Sequence, residues 1–329
     1  MDGYKIAVIG GGTGLSTMLR GLKKHTNNLT AIVTVADDGG GSGILRQDLG
    51  MLPPGDIRNC ILALANTEPT MEKLLQYRFT EGMLKGQSFG NLFLAAMNGI
   101  SDNFEEAVKK MSDVLAVSGK VLPVTLNNVR LKAVLENGTV INGESQIPKR
   151  QLIEKSPIKR IYLEPPNVKP VKDVLLELIR ADAVVLGPGS LYTSIIPNLL
   201  VDEICDAIEI SKAVKIYVCN IMTQPGETTS LDAYDHVKAL FSHGLKSLDY
   251  IIVNCGKIPY EYRTRYSEDM AQPVTYDKDK LNSLGIKIIE KDVVAIKQNF
   301  IRHDEEKLAE VIMDLIQRCV DRQSDKGIK

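Results

Sequence analysis

Three times in this chain a short apolar run gives way at once to glycines and then to a helix-forming segment. Ile6-Ala7-Val8-Ile9 enters Gly10-Gly11-Gly12-Thr13-Gly14-Leu15-Ser16, with a helix expected from Thr17 to Lys24. The run LTAIVTVA (29–36) enters Asp37-Asp38-Gly39-Gly40-Gly41-Ser42-Gly43. Ala183-Val184-Val185-Leu186 enters Gly187-Pro188-Gly189-Ser190-Leu191-Tyr192-Thr193-Ser194. Apolar runs without polar alternation suit strands buried on both faces, the condition of a parallel sheet. Parallel neighbours need crossover connections, which are helices as a rule. The repeated unit therefore predicts an α/β fold.

A strand, a glycine turn and a helix N-terminus also make an anion site. The free N–H groups of the first helical turn and the positive end of the dipole face the ligand, and glycines let the backbone approach it closely. The first loop is not the dinucleotide fingerprint, because G-x-G-x-x-G from Gly10 and Gly12 meets Leu15 where a third glycine belongs. Nor is it a P-loop, since no Gly-Lys-Ser/Thr follows.

Asp37 and Asp38, at the mouth of the second loop, suit ribose or sugar hydroxyls, or a Mg²⁺ bridging a diphosphate. In Pro53-Pro54-Gly55-Asp56-Ile57-Arg58-Asn59, Asp56 stands at an expected N-cap and Arg58 in the following first turn. A cation is poorly placed there unless it serves a ligand anion or pairs with Asp37, Asp38 or Asp56. Residues 71–87 are expected to be helical. Asn91 is expected to cap the helix 92–97 or to reach the cleft.

From Val121 the period changes. Alternating runs around Asn137-Gly138, a strong hairpin signal, make 121–164 an expected antiparallel β insertion in an otherwise continuous α/β domain of 1–329. The α/β rhythm then resumes with strands at 214–219, 250–254 and 286–290, and a closing helix at 307–320. The strand at 214–219 leads into Asn220-Ile221-Met222-Thr223-Gln224-Pro225-Gly226-Glu227. The segment 257–275 is rich in Tyr and Arg and is expected as a loop or short helix near the surface. Polar loops after the strands ending near 9, 36, 186, 219 and 254 share one sheet edge in such a fold, where ligands bind. A nucleotide-like ligand is the inference.

Charge narrows the partners. Forty Lys and Arg against 41 Asp and Glu leave a formal net charge of -1, which argues against non-specific binding to nucleic acid or anionic membrane. No apolar stretch reaches the roughly 18 residues of a membrane span or forms a signal-peptide core. The five cysteines are scattered without a C-x-x-C pair. The expectation is a cytoplasmic protein with reduced cysteines. Among the four histidines, His303 between Arg302 and Asp304 is the one to test.

The set GGGTGLS (10–16), TVADDGGGSG (34–43), PPGDIRN (53–59), GPGSLYTS (187–194) and NIMTQPGET (220–228) resembles the YvcK/CofD-like family, in its bacterial gluconeogenesis-factor branch. The resemblance implies a modified Rossmann-type, mainly parallel sheet with helices on both faces. It implies a factor that binds UDP-sugars, notably UDP-N-acetylglucosamine, and is needed for cell shape and envelope synthesis during gluconeogenic growth. The implied ligand region covers Gly11, Gly12, Thr13, Gly14, Asp37, Asp38, Gly39, Asp56, Arg58, Asn59, Gly187, Gly189, Ser190, Asn220 and Thr223, with Tyr266 and Arg302. No established catalysis comes with this branch. The alternative is a Mg²⁺-dependent transferase like the CofD enzymes, which move a phospholactyl group from a guanosine-diphosphate-linked donor; Asp37 and Asp38 would then hold metal, and Asp56 would join them or act as base. NAD is an expected adventitious ligand, and an envelope-synthesis partner and a homo-oligomer are compatible with the sequence. One departure is Gly41, where relatives carry Ser in ADDGGSSG.

Overall fold

The computed structural model describes residues 3–327. Strand β1 (Ile6–Gly10) feeds α1 (Gly12–Leu22), and β2 (Leu29–Val33) follows. A helical stretch of α2 (Gly40–Leu49), α3 (Gly55–Leu64), α4 (Pro69–Gln76), α5 (Phe89–Gly99) and α6 (Phe104–Val114) leads to β3 (Lys120–Pro123). The chain then builds a separate antiparallel sheet from β4 (Arg130–Leu135), β5 (Val140–Asn142) and, after α7 (Ile147–Glu154), β6 (Ile158–Glu164). It returns through α8 (Lys172–Arg180) to β7 (Ala183–Leu186), a π turn (Leu191–Ile195), α9 (Ile196–Leu199) and α10 (Ile204–Ile210). Next come β8 (Val214–Val218), α11 (Ala233–Ser242), β9 (Tyr250–Asn254), α12 (Tyr260–Glu268), α13 (Lys278–Ser283) and β10 (Lys287–Lys291). A hairpin of β11 (Val294–Lys297) and β12 (Phe300–His303) precedes α14 (Glu305–Gly327).

Seven strands form one sheet in the order β10-β9-β8-β7-β1-β2-β3, every neighbour parallel. Every residue of β1, β2, β7 and β8 is buried, so both faces of the sheet are covered there. The order explains why. From β1 the chain steps outward to β2 and β3, then crosses back to β7 and steps outward the other way. Right-handed crossovers in opposite directions put helices on opposite faces. The reversal leaves β1 and β7 side by side, with Ile6 opposite Ala183 and Ile9 opposite Leu186. The loops leaving these two strands diverge, and a crevice opens between them at the carboxyl edge. Asn198 ties the corner by donating to the Gly10 carbonyl at 3.2 Å.

Four expectations need correction. The strand beginning near Val121 belongs to the main sheet, where Thr30 pairs with Lys120 and Val33 with Pro123. Proline fits there because β3 is an edge strand. The antiparallel insertion starts only at Arg130. The helix expected over 71–87 stops at Gln76, because the chain turns back on itself: Phe79 N donates to Gln87 O at 2.9 Å and Arg78 bridges Ser88. Asn91 caps nothing; the Ser88 side chain caps α5 by accepting from Asn91 N. The second glycine loop holds the first turn of α2. Among the described residues, no helix is long and apolar enough to cross a membrane.

Candidate functional site

The crevice between β1 and β7 is a cleft of about 450 Å³. Its floor is Gly11, Gly12, Thr13 and Gly14 at the start of α1, facing Pro188, Gly189 and Ser190 after β7. Asn220 to Pro225, after β8, form the next wall; Tyr266, Asp269 and Ala271 with Phe300 to His303 form the far one. The N-cap of α1, Gly11, has no side chain with which to cap the helix, and the first turn holds no acidic residue. Gly12 sits at φ +67°, in the left-handed region. The N-terminus of α1 is therefore turned into the cleft beside the glycine loop that follows β7, which is the cleft's second loop.

Side chains fix the second loop from behind. Asn220 Oδ1 accepts from Gly189 N at 3.4 Å, and Ser190 Oγ donates to Gln224 Oε1 at 2.7 Å. Gln224 Nε2 in turn donates to Glu227 Oε1 at 2.7 Å. The buried Glu227 also accepts from Thr193 Oγ1 at 3.0 Å and Tyr192 N at 3.3 Å. Desolvation pushes its carboxyl up to about 7, opposed by those hydrogen bonds. Thr223 is buried, its hydroxyl accepting from Gln272 N at 2.9 Å.

The far wall comes from the hairpin and α12. Tyr266 Oη accepts from Ile301 N at 2.9 Å, which holds the ring at the cleft edge. Arg302 is exposed, its guanidinium 5.0 Å above the Phe300 ring and bonded only to Ile301 O at 3.0 Å. His303 is buried and donates from Nε2 to Cys219 O at 3.2 Å. Desolvation lowers its pKa to about 4, so it is neutral near pH 7 and pins β12 to the end of β8. It is a strut, not an acid–base group.

The structure thus brings Gly11, Gly12, Thr13, Gly14, Gly189, Ser190, Asn220, Thr223, Tyr266 and Arg302 around one space. It puts the others elsewhere. Gly187 is buried beneath the second loop. Asp56 is not the cap of its own helix, whose N-cap is Pro54; its carboxylate accepts from Gly12 N–H and so caps α1 from the side away from the cleft. Desolvation and the neighbouring charge of Asp37 push it up to about 7. Asp37 forms an Asx turn with Gly39 N at 2.9 Å. Asp38 turns outward and spends both oxygens on the insertion, accepting from Ser145 N at 2.9 Å and Glu144 N at 3.1 Å. Arg58 donates to Asn59 Oδ1 and to Ser88 Oγ, the α5 cap.

That geometry bears on the metal expectation. With Asp38 anchored to the insertion and Asp37 closed on its own turn, the two do not form a paired metal site. Among the described residues, no group of three or more His, Cys, Asp and Glu converges in a way that holds a metal ion. No chemical step is therefore derived through Mg²⁺.

Asp269 and Phe300 line the cleft but lie outside the motifs quoted above, whereas Ser194 and Gln224 lie within them. Gln224 lay in a loop already singled out for polarity. Asp269 and Phe300 depend on the fold of α12 and the hairpin over β8, which no local pattern encodes.

A parallel sheet with a strand-order reversal and two glycine loops at the switch point defines a Rossmann-like α/β protein with an anion-receptive cleft. The family model for 2-phospho-L-lactate transferase CofD matches residues 6–294, and the chain belongs to that family. The gluconeogenesis factor of Bacillus subtilis is 48% identical over 95% of this chain and 98% of its own length. A candidate gluconeogenesis factor of Thermoanaerobacterium thermosulfurigenes is 74% identical over 96% and 98%. The crystal structure of a UPF0052-family protein from Bacillus halodurans superposes with a TM-score of 0.90 at 45% identity, covering 95% of this chain and all of that one.

Proposed function

We propose that this chain binds UDP-sugars, UDP-N-acetylglucosamine foremost, as a regulatory factor for cells growing on gluconeogenic carbon sources, with a role in cell shape and envelope synthesis. One observation carries the ligand class: two glycine loops meet at the sheet's switch point with the first turn of α1, whose N-cap Gly11 has no side chain, between them. Backbone N–H groups of Thr13 and Gly14 are donors for a diphosphate there. Arg302 adds a charge-assisted bond from the rim. Tyr266 offers a ring for the uracil to stack on, and Asn220 and Thr223 offer polar contacts. The cleft is of the size that encloses a small ligand. The physiological part of the proposal leans on the name of the Bacillus subtilis relative, a gluconeogenesis factor.

Binding in place of turnover suits a cleft that Asp37, Asp38 and Asp56 do not line. A ligand that touches α1, the second loop and the hairpin together favours the conformation in which α12 and the hairpin are seated. A partner that reads that surface then senses the ligand, provided the two conformations differ in affinity for it.

The test is thermal unfolding with UDP-N-acetylglucosamine, UDP-glucose, NAD, GDP and GTP, each with and without Mg²⁺. A ligand at 100 times its dissociation constant stabilises by about 2.7 kcal/mol. The expected result is a clear shift with UDP-sugars and a smaller one with NAD. No shift with any UDP-sugar would overturn the proposal.

A further inference from the structure

On the other side of α1 from the cleft, Arg58 is a buried cation without a counter-ion. Only 9% of it is exposed. One guanidinium nitrogen donates to Ser88 Oγ at 3.0 Å and the other to Asn59 Oδ1 at 2.7 Å, while Nε donates to nothing. Among the described residues no carboxylate pairs with it; Asp56, the acid that acts on it, is spent on Gly12 N–H. A second guanidinium makes matters worse. Arg78 is bridged to Ser88 through its backbone, bonds to the Gly86 carbonyl, and bears on Arg58 with a like charge. It too has no carboxylate partner among the described residues.

Both cations stand at the N-terminal end of α5, whose cap is Ser88. The helix dipole there favours anions and penalises cations. Two like charges, one of them desolvated, at the positive end of a helix form an arrangement that protein groups alone leave uncompensated. Arg58 Nε is left over as a buried donor that meets no acceptor among the described residues. Asn59 and Gly86 are half-buried and Arg78 is exposed, so the group is reached from the surface.

We propose that Arg58 and Arg78, with Asn59, form a second ligand site that takes a phosphoryl group, separate from the switch-point cleft. A dianion meets two guanidinium groups, and its several oxygens accept from both. A phosphorylated metabolite and free phosphate share this chemistry. The site does not depend on what occupies the cleft.

Equilibrium dialysis of the full chain against radiolabelled inorganic phosphate, at ionic strength held constant with chloride, tests this. Arg78→Ala leaves the fold intact because the residue is exposed, which the melting curve checks. It should weaken phosphate binding at least tenfold, and Arg78→Glu should abolish it. Arg58→Lys, which keeps the charge but loses the fork, should also weaken it. Arg302→Ala should bind phosphate as the wild type does, and Arg78→Ala should keep the wild-type response to UDP-N-acetylglucosamine. A wild type that takes up no phosphate would overturn the proposal. So would Arg78 variants that bind like wild type, including the case in which Arg302→Ala alone loses phosphate and so assigns it to the cleft. If phosphate binds at the arginines and no UDP-sugar binds anywhere, the cleft proposal fails and this one stands.

Discussion

A side-chain carbon on Gly14 would stand 2.5 Å from the carbonyl oxygen of Pro188. The glycine loops after β1 and β7 thus meet backbone against backbone, with no room for a side chain between them. Gly14→Ala must therefore push the loops apart, since neither side can rotate out of the way. The expected cost is about 1–3 kcal/mol of stability, as for other overpacked sites. UDP-sugar affinity should fall at least tenfold, because α1 and the second loop no longer present donors to one diphosphate. Gly99→Ala is the matched control: it lies in α5, has open space around it, and should leave affinity unchanged. Calorimetric titration of both variants, with urea melts, decides the matter.

Arg302 and Tyr266 occupy the same wall but are held differently, and their variants should differ accordingly. Arg302 is exposed and rests on Phe300, so Arg302→Ala should keep the fold and its melting temperature. The lost charge-assisted bond, about 1.5–3 kcal/mol, predicts roughly a tenfold to hundredfold loss of UDP-sugar affinity. Tyr266→Phe removes only the acceptor for Ile301 N and keeps the ring. It should cost less than Tyr266→Ala, which removes the stacking surface as well. Equal affinities for the wild type and Tyr266→Ala would take the ring out of the site.

Asp38 holds the insertion. Its two oxygens accept the backbone N–H groups of Glu144 and Ser145, and nothing else in the structure replaces them. Asp38→Ala should destabilise by about 1–3 kcal/mol through the unpaired N–H groups. Hydrogen exchange should speed up over 143–155, while UDP-sugar affinity stays within a factor of two or three. A large loss of affinity with unchanged exchange would return Asp38 to the ligand.

How much of this was legible beforehand follows the range of the interactions. The strands at 6–9, 183–186 and 250–254 were read from local apolar runs, and the loops after β1, β7 and β8 from their glycines and amides. Both signals are carried by a few consecutive residues. Lys120–Pro123 was misassigned because its sheet is decided by pairing with Thr30 to Val33, some ninety residues earlier. Asp38 and Asp56 looked like ligand groups because carboxylates beside glycines do so generally. Which backbone N–H each carboxylate finds depends on where the insertion and α1 settle, and sequence does not carry that. Arg58 was singled out for its poor electrostatic position in a first turn. The structure keeps the mismatch and adds Arg78 to it.

Three acids with raised pKa values make a pH prediction whose sign can be worked out. Asp56 rises from 3.8 to about 7, Glu227 from 4.5 to about 7 and Glu144 from 4.5 to about 8, each first by desolvation. Asp37 adds repulsion at Asp56 and Glu144, so the group titrates as a cluster. A carboxyl raised in the folded state holds its proton there after the unfolded chain has released it. Its contribution is whole below about pH 4 and is lost as pH climbs through about 7 and 8. His236 and His303 act in the opposite direction. Both are lowered from 6.5 to about 4 by desolvation, so they take stability away as pH falls through 6.5. Below pH 6.5 the two effects oppose each other. Above 6.5 the histidine effect fades as the unfolded imidazoles lose their last protons, and the larger loss from the three acids sets the sign. The urea midpoint should therefore fall from pH 6.8 to pH 8.5, and the fall should shrink in Asp56→Asn and again in Asp56→Asn with Glu144→Gln. A midpoint that rises over that interval would mean that Asp56, Glu227 and Glu144 are already ionised at pH 6.8, and that the cluster behind the glycine loop is better solvated than its packing requires.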